Sequence, residues 1–172
     1  MDPEIHGQRR LGRGMIALAW LALLGVLWLG FADVLERRAN PNRHVVTSAG
    51  VAELVLQRNR AGHYLVPGTI NGHSVEFLLD TGATLVSVPA RLGAEIGLAP
   101  GAAQEVVTAN GIVRARATVI DSLAFGPFEL RRVRAQLNPG LTGRQVLLGM
   151  SVLRELEFTQ RGDRLTLRWI EP

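Results

Sequence analysis

The 172-residue chain contains no cysteine. That excludes disulfides, thiol catalysis and cysteine-based zinc sites, and is compatible with an oxidising compartment without requiring one. It also lacks lysine: all nineteen basic residues are arginine, which raises the isoelectric point to about 11.1 although the net charge is only +4. The charge is spread evenly, with six arginines against four acids in residues 1–44 and thirteen against eleven in 45–172. Neither part is therefore a basic nucleic-acid-binding module, and no nucleic-acid partner is expected. Ser87 and Ser151 lack a Gly-x-Ser-x-Gly setting, which argues against a serine nucleophile. His63 and His73 have no third ligand at a recognisable spacing, so no metal site is expected. There is no internal repeat, so the chain is not a duplicated two-lobed molecule.

Charge is also missing from one long run. Residues 14–32, GMIALAWLALLGVLWLGFA, carry none and are flanked by Arg9, Arg10 and Arg13 before and by Asp33, Glu36, Arg37 and Arg38 after. About twenty apolar residues suffice to cross a bilayer as a helix, whereas a cleavable signal has an apolar region of roughly 7 to 15. Residues 14–32 are accordingly expected to be a transmembrane anchor in contact with lipid. Removal after the small-residue stretch Gly30, Phe31 and Ala32 is the alternative. Arginines lie close on both sides, so charge alone does not orient the span. The short tail, 1–13, favours a cytoplasmic N-terminus with the larger C-terminal part exported. Residues 33–48, polar and containing Asn40, Pro41 and Asn42, read as a stalk, leaving 49–172 as the folded domain.

That domain reads as mainly β. Alternating or continuous apolar runs predict strands over Ala52 to Gln57, Tyr64 to Ile70, Ser74 to Leu79, Leu85 to Val88, Glu105 to Thr108, Ile112 to Ala124, Phe128 to Leu137 and Leu165 to Trp169. Turns are expected at Asn71-Gly72, Gly126-Pro127 and Gly162-Asp163. Two helices are predicted, over Pro89 to Ile96 and Met150 to Leu156.

One stretch carries chemistry. In LLDTGATLVSVP an apolar strand, Phe77, Leu78 and Leu79, runs into Asp80, Thr81 and Gly82 before a second apolar run begins at Leu85. Asp-Thr-Gly is also ordinary turn chemistry, but a turn aspartate normally has polar neighbours, and this one must lie against a core. Gly82 lets the backbone turn tightly enough to aim amide groups at the carboxylate. Asp121 and Asp163 have no such setting and read as turn residues. A second element, VLLGMSVL, is an apolar strand ended by Gly149. A third, VVTANGIVRA, interrupts two extended runs with Ala109, Asn110 and Gly111 in the manner of a tight hairpin.

These three elements, in this order, resemble the retropepsin-like aspartic proteases (clan AA type), and among them bacterial members with one N-terminal membrane segment. The resemblance covers roughly His63 to the C-terminus. It implies a single-lobed, closed β-barrel-like fold with one or two short helices, in which Asp80 is catalytic. Thr81 would bond to its counterpart across a two-fold axis, Gly82 would present its amide near the carboxylates, and Ala83 would lie in the substrate floor. Ala109, Asn110 and Gly111 would form the flap over the substrate. Leu147, Leu148 and Gly149 would pack beside the Asp80 loop and lead into a substantial C-terminal helix. The sequence departs from viral members, which carry a further aspartate after the loop and an arginine after the C-terminal glycine; here stand Thr84 or Leu85 and Met150.

Two carboxyl groups a few ångströms apart cannot both ionise, and the chemistry uses that shared proton. A single copy of the motif therefore implies a homodimer. The expectation is a bacterial inner-membrane endopeptidase with a periplasmic domain that cleaves extended peptides and needs no cofactor. The alternative is a catalytically silent dimerisation or peptide-binding module of the same fold. DTGAT also fits the Asp-x-Gly-x-Thr phosphate hairpin of actin-like ATPases, but that fold needs a much longer two-domain chain.

Overall fold

The computed structural model describes residues 15, 16, 18–31, 39–42, 53–108 and 111–170. The chain divides into two compact units, Met1–Ala39 and Asn40–Pro172. In the first, residues 18–31 are helical and present their side chains to the exterior, Trp20, Leu24, Trp28 and Phe31 among them. Among the described residues no helix is both long and apolar enough to cross a membrane. The span expected at 14–32 includes positions 14, 17 and 32, which lie outside the described residues, as do the tail at 1–13 and most of the stalk.

The second unit runs β1 (Glu53–Gln57), β2 (Leu65–Ile70), β3 (His73–Leu79), β4 (Val86–Pro89), α1 (Ala90–Glu95), β5 (Ala103–Thr108), β6 (Gly111–Phe125), β7 (Phe128–Asn138), β8 (Gln145–Leu148), α2 (Met150–Leu153), β9 (Leu156–Arg161) and β10 (Arg164–Trp169). Six strands form a sheet in the order β2-β3-β8-β4-β7-β6, and β6 returns to pair with β2, closing a barrel. β6 is long enough to serve twice: its last residues pair with β2 at Gly68↔Phe125 and Ile70↔Leu123, while its first half pairs with β5 from Ala103↔Arg116 to Thr108↔Gly111. Closure brings backbones together at Gly68, where an added Cβ would overlap the Ala124 carbonyl oxygen and sit 2.6 Å from the Phe77 ring. Only glycine fits there.

Strand alternation sends Phe77, Val86, Val88, Val146 and Leu148 into the interior, each with no exposed surface. β1, β10 and β9 make a separate three-stranded sheet whose Leu54, Leu56, Leu165 and Leu167 are buried. Each fully buried side chain of this kind contributes about 1.5–3 kcal/mol. Phe77, Phe125, Phe128 and Trp169 continue the core as a chain of ring contacts, with centroids 6.0, 5.3 and 5.3 Å apart. All are edge-on or tilted, the favoured arrangement for aromatic pairs.

The expected strands and hairpin turns are present, with ends shifted by a residue or two, but Asp121, read as a turn residue, lies inside strand β6 while Asp163 is in the β9–β10 turn. Two differences matter. The helix expected over Met150 to Leu156 stops after one turn, at Leu153, so no substantial C-terminal helix exists among the described residues. From Leu156 the chain is instead strand β9, paired with β10 from Leu156↔Trp169 to Arg161↔Arg164. Apolar spacing does not decide this segment: Val152, Leu153 and Leu156 are all buried, and pairing with β10 fixes the extended form. The second difference lies in the expected stalk. Asn40 and Asn42 are buried, and the Asn42 amide donates to the carbonyls of Gln57 and Leu65 (2.9 and 2.8 Å) while its Oδ1 accepts from the Gln57 N–H (2.7 Å). Asn40 donates to Glu76 Oε1 at 2.5 Å. Residues 40–42 thus belong to the folded unit.

Candidate active site

Strand β3 delivers Asp80 to the rim of the barrel. Phe77 and Leu79 face the interior, so Leu78 and Asp80 share the opposite face. Leu79 N–H donates to the Tyr64 carbonyl on one side, and Asp80 N–H to the Leu148 carbonyl on the other, both near 3 Å (3.0 and 3.1 Å). The aspartate is therefore held between two strands at the point where the chain leaves the sheet. Its side chain is half-buried; Thr81, Gly82 and Thr84 are exposed. The Gly82 N–H donates to Asp80 Oδ1 at 2.9 Å, and the Ala83 N–H to the Asp80 carbonyl at 3.2 Å. One carboxylate oxygen is thereby oriented by the loop itself. The Thr81 hydroxyl makes no hydrogen bond among the described residues and faces the exterior.

The loop is laced to the segment after β8. Met150 N–H donates to the Ala83 carbonyl at 2.8 Å and Ser151 N–H to the Thr84 carbonyl at 2.9 Å. Gly149 makes this possible. A Cβ there would overlap the Leu85 carbonyl oxygen and stand 2.5 Å from that of Ala83, closer than any real contact. Its φ of −90° is open to every residue type, so the requirement is for space rather than for backbone freedom. The Leu147, Leu148 and Gly149 element accordingly packs beside the Asp80 loop: Leu148 is fully buried and Leu147 half-buried.

Ser151 has a structural part that its sequence setting did not reveal. Its Oγ accepts from the Val86 N–H at 3.1 Å and donates to the Arg134 carbonyl at 3.2 Å. It joins the end of the Asp80 loop to β7. A lone serine inside an apolar run carries no local signal for such a link.

The expected flap is the β5–β6 hairpin. Ala109 and Asn110 lie outside the described residues, and Gly111 has φ of +107°, a conformation that suits glycine at a turn. Thr108 Oγ1 closes the tip by donating to the Gly111 carbonyl at 2.8 Å. Val107 and Ile112, paired across the hairpin, are strongly exposed at 83% and 70%. His63 and His73 are exposed on the surface, and among the described residues no group of three or more His, Asp or Glu side chains is gathered to hold a metal.

The arrangement is one oriented carboxylate on a rigid loop, with the neighbouring residues open to the exterior. Residues 66–155 match the family model described as "gag-polyprotein putative aspartyl protease". The chain is similar to an uncharacterized protein in the cobV 5′ region of a Sinorhizobium species, 31% identical over 180 positions, covering 95% of this chain and 77% of that protein. It is also similar to uncharacterized protein RP867 of Rickettsia prowazekii (strain Madrid E), 26% identical over 127 positions, covering 71% of this chain and 54% of the relative. Among solved structures it resembles the crystal structure of a retropepsin-like aspartic protease from Rickettsia conorii. The TM-score is 0.58 at 25% identity, over 71% of this chain and 94% of that one.

Proposed function

Because the chain belongs to the gag-polyprotein aspartyl protease family and has the retropepsin-like fold, we propose that it is an aspartic endopeptidase whose active site is assembled from two copies of Asp80. The observation that carries this reading is the loop itself. Asp80 is oriented by the Gly82 amide, backed by the Gly149 segment, and bordered by Thr81 and Gly82, both exposed. A loop built so rigidly and left uncovered is suited to meet an identical loop.

In the dimer the two carboxyl groups share one proton. The ionised member acts as general base on a water held between them, and the protonated member donates to the oxygen of the scissile carbonyl. The resulting tetrahedral diol collapses with proton transfer to the leaving amine, and no covalent enzyme intermediate forms. An extended peptide enters as an added strand between the β5–β6 hairpin and the loop floor at Ala83. Apolar side chains are favoured beside the cut, since Leu78 and Leu147 are paired on the face that carries Asp80 and Val106 and Val113 are paired on the hairpin. Hairpin closure excludes water from the cleft.

Residues 14–32 anchor the enzyme in a bacterial inner membrane with the domain in the periplasm. The uncharged composition of that run and the exposed apolar side chains of helical residues 18–31 support the anchor. Substrates are then extended segments of periplasmic or membrane proteins within reach of the bilayer.

The test is the full-length chain in mild detergent, wild type beside Asp80→Asn, assayed against a peptide library with mass-spectrometric mapping of products. Wild type is expected to cut and the variant to lose at least about 10³-fold in rate while keeping its melting temperature and dimer content. Undiminished cleavage by the variant, or turnover by a strictly monomeric wild type, rules the mechanism out.

A further inference from the structure

Strand register carries the face bearing Asp80 across the sheet. Leu78 is in register with Leu147, Leu147 with Ser87, and Ser87 with Gln136. The first two members of this row are apolar, but the last two are polar and almost wholly buried, Ser87 at 1% exposure and Gln136 at 6%. Buried amides and hydroxyls persist where their hydrogen bonds are made, and these are. Gln136 Nε2 donates to Ser87 Oγ at 3.2 Å, and Gln136 Oε1 accepts from Gln104 Nε2 at 3.0 Å.

Gln104 is the link that gives the row a purpose. It lies on β5, the outer strand of the hairpin, which is otherwise attached to the barrel through its pairing with β6. Ser87 lies on β4, the strand into which the Asp80 loop runs. The chain Gln104–Gln136–Ser87 therefore joins the base of the hairpin to the strand leaving the loop. A second contact supports the same side of the hairpin: Val113 packs against the backbone at Gly140, where an added Cβ would approach its methyl group to 3.1 Å.

We propose that Gln136 is a positioning residue that seats the β5–β6 hairpin over the face carrying Asp80, its amide bridging hairpin and loop strand at once. It touches no reacting atom. Its effect is on the orientation of the hairpin, and so on how much ordering the hairpin must undergo when a peptide enters beneath it. An apolar residue of the same length in its place leaves Gln104 without its acceptor and Ser87 without its donor. The open hairpin then gains population, and substrate must supply the difference. The signature is a weaker KM with little change in kcat, because bound substrate restores the closed arrangement before chemistry.

The assignment of the hairpin as a flap rests on the endopeptidase reading above; the bridge itself does not. The experiment therefore has two readouts on the full-length chain in mild detergent. Hydrogen exchange is measured for hairpin amides 104–108 and 111–116 and for β3, β4 and β8 in wild type, Gln136→Met, Gln104→Met and the double variant. Peptide turnover is measured on the same four proteins. Gln136→Met is expected to raise hairpin exchange roughly five- to tenfold, the effect of losing about one net hydrogen bond, with β3 and β8 unchanged. KM should rise by a similar factor with kcat altered less than about twofold. Because both substitutions break one bridge, the double variant should match Gln136→Met rather than add to it. Unchanged hairpin exchange, additive effects, or a loss confined to kcat overturns the proposal. If Gln136→Met fails to fold, Gln104→Met, at a half-exposed site, decides it through the same exchange measurement. If wild type shows no turnover, the endopeptidase reading fails, while hairpin exchange still tests the bridge.

Discussion

Replacing Gly149 by alanine adds a single methyl group at the most crowded backbone position beside Asp80. Two effects oppose each other. Alanine restricts the unfolded chain, which stabilises a protein by about 0.4–1 kcal/mol where the native conformation tolerates it, and φ of −90° at Gly149 does tolerate it. Against this, the new Cβ would lie 2.5 Å from the Ala83 carbonyl oxygen and 2.8 Å from the Leu85 carbonyl carbon, and would overlap the Leu85 oxygen. Those are backbone atoms, which cannot rotate aside. Overpacking of this kind costs about 1–3 kcal/mol. Moving the loop away also lengthens the Met150 to Ala83 and Ser151 to Thr84 hydrogen bonds, at about 1 kcal/mol each. The steric side wins, leaving a net destabilisation of about 2–4 kcal/mol. Urea denaturation of full-length Gly149→Ala beside wild type measures it, and the corresponding fall in melting temperature is about 8–16 °C. Displacing the Asp80 loop by even about 1 Å should also lower peptide turnover by about 10²-fold. A variant within about 0.5 kcal/mol of wild type with undiminished turnover would show that the loop is not held by close backbone approach at Gly149.

Two further substitutions test other parts of the fold. Asn42→Ala removes three hydrogen bonds to Gln57 and Leu65 at a buried site and should cost about 2–4 kcal/mol in urea denaturation; a neutral result would mean that residues 40–42 do not belong to the folded domain. The Tyr64 hydroxyl is buried with no hydrogen-bond partner among the described residues, so Tyr64→Phe removes a desolvation penalty. The variant should melt higher, by about 1 kcal/mol in stability, and a lower melting temperature would reveal a partner for the hydroxyl.

How much of this was legible beforehand differs by element. The hairpins at Asn71-Gly72 and Gly162-Asp163 were visible because turn chemistry is local, and Asn71 and both glycines adopt the positive φ those residues allow. The Asp80 loop was visible because an acidic turn pinned between two apolar strands is unusual in itself. The end of α2 was not, because Val152, Leu153 and Leu156 fit a helical face as well as they fit a one-turn helix followed by a strand. Nor was the attachment of Asn42: an asparagine in a polar stretch looks the same whether it is solvated or bonded to strands fifteen and twenty-three residues away.

The amino-acid order alone determined most of the strand pattern and the single Asp-Thr-Gly turn, since alternation and turn preference act within a few residues. Only the tertiary structure decided that Gly149 must be glycine, that Gly68 closes the barrel, that Ser151 ties the loop to β7 and that Gln136 bridges hairpin and loop strand. Each of those depends on atoms far apart in the chain meeting within a few ångströms. Such meetings are fixed by packing and register, and no local stretch of sequence records them.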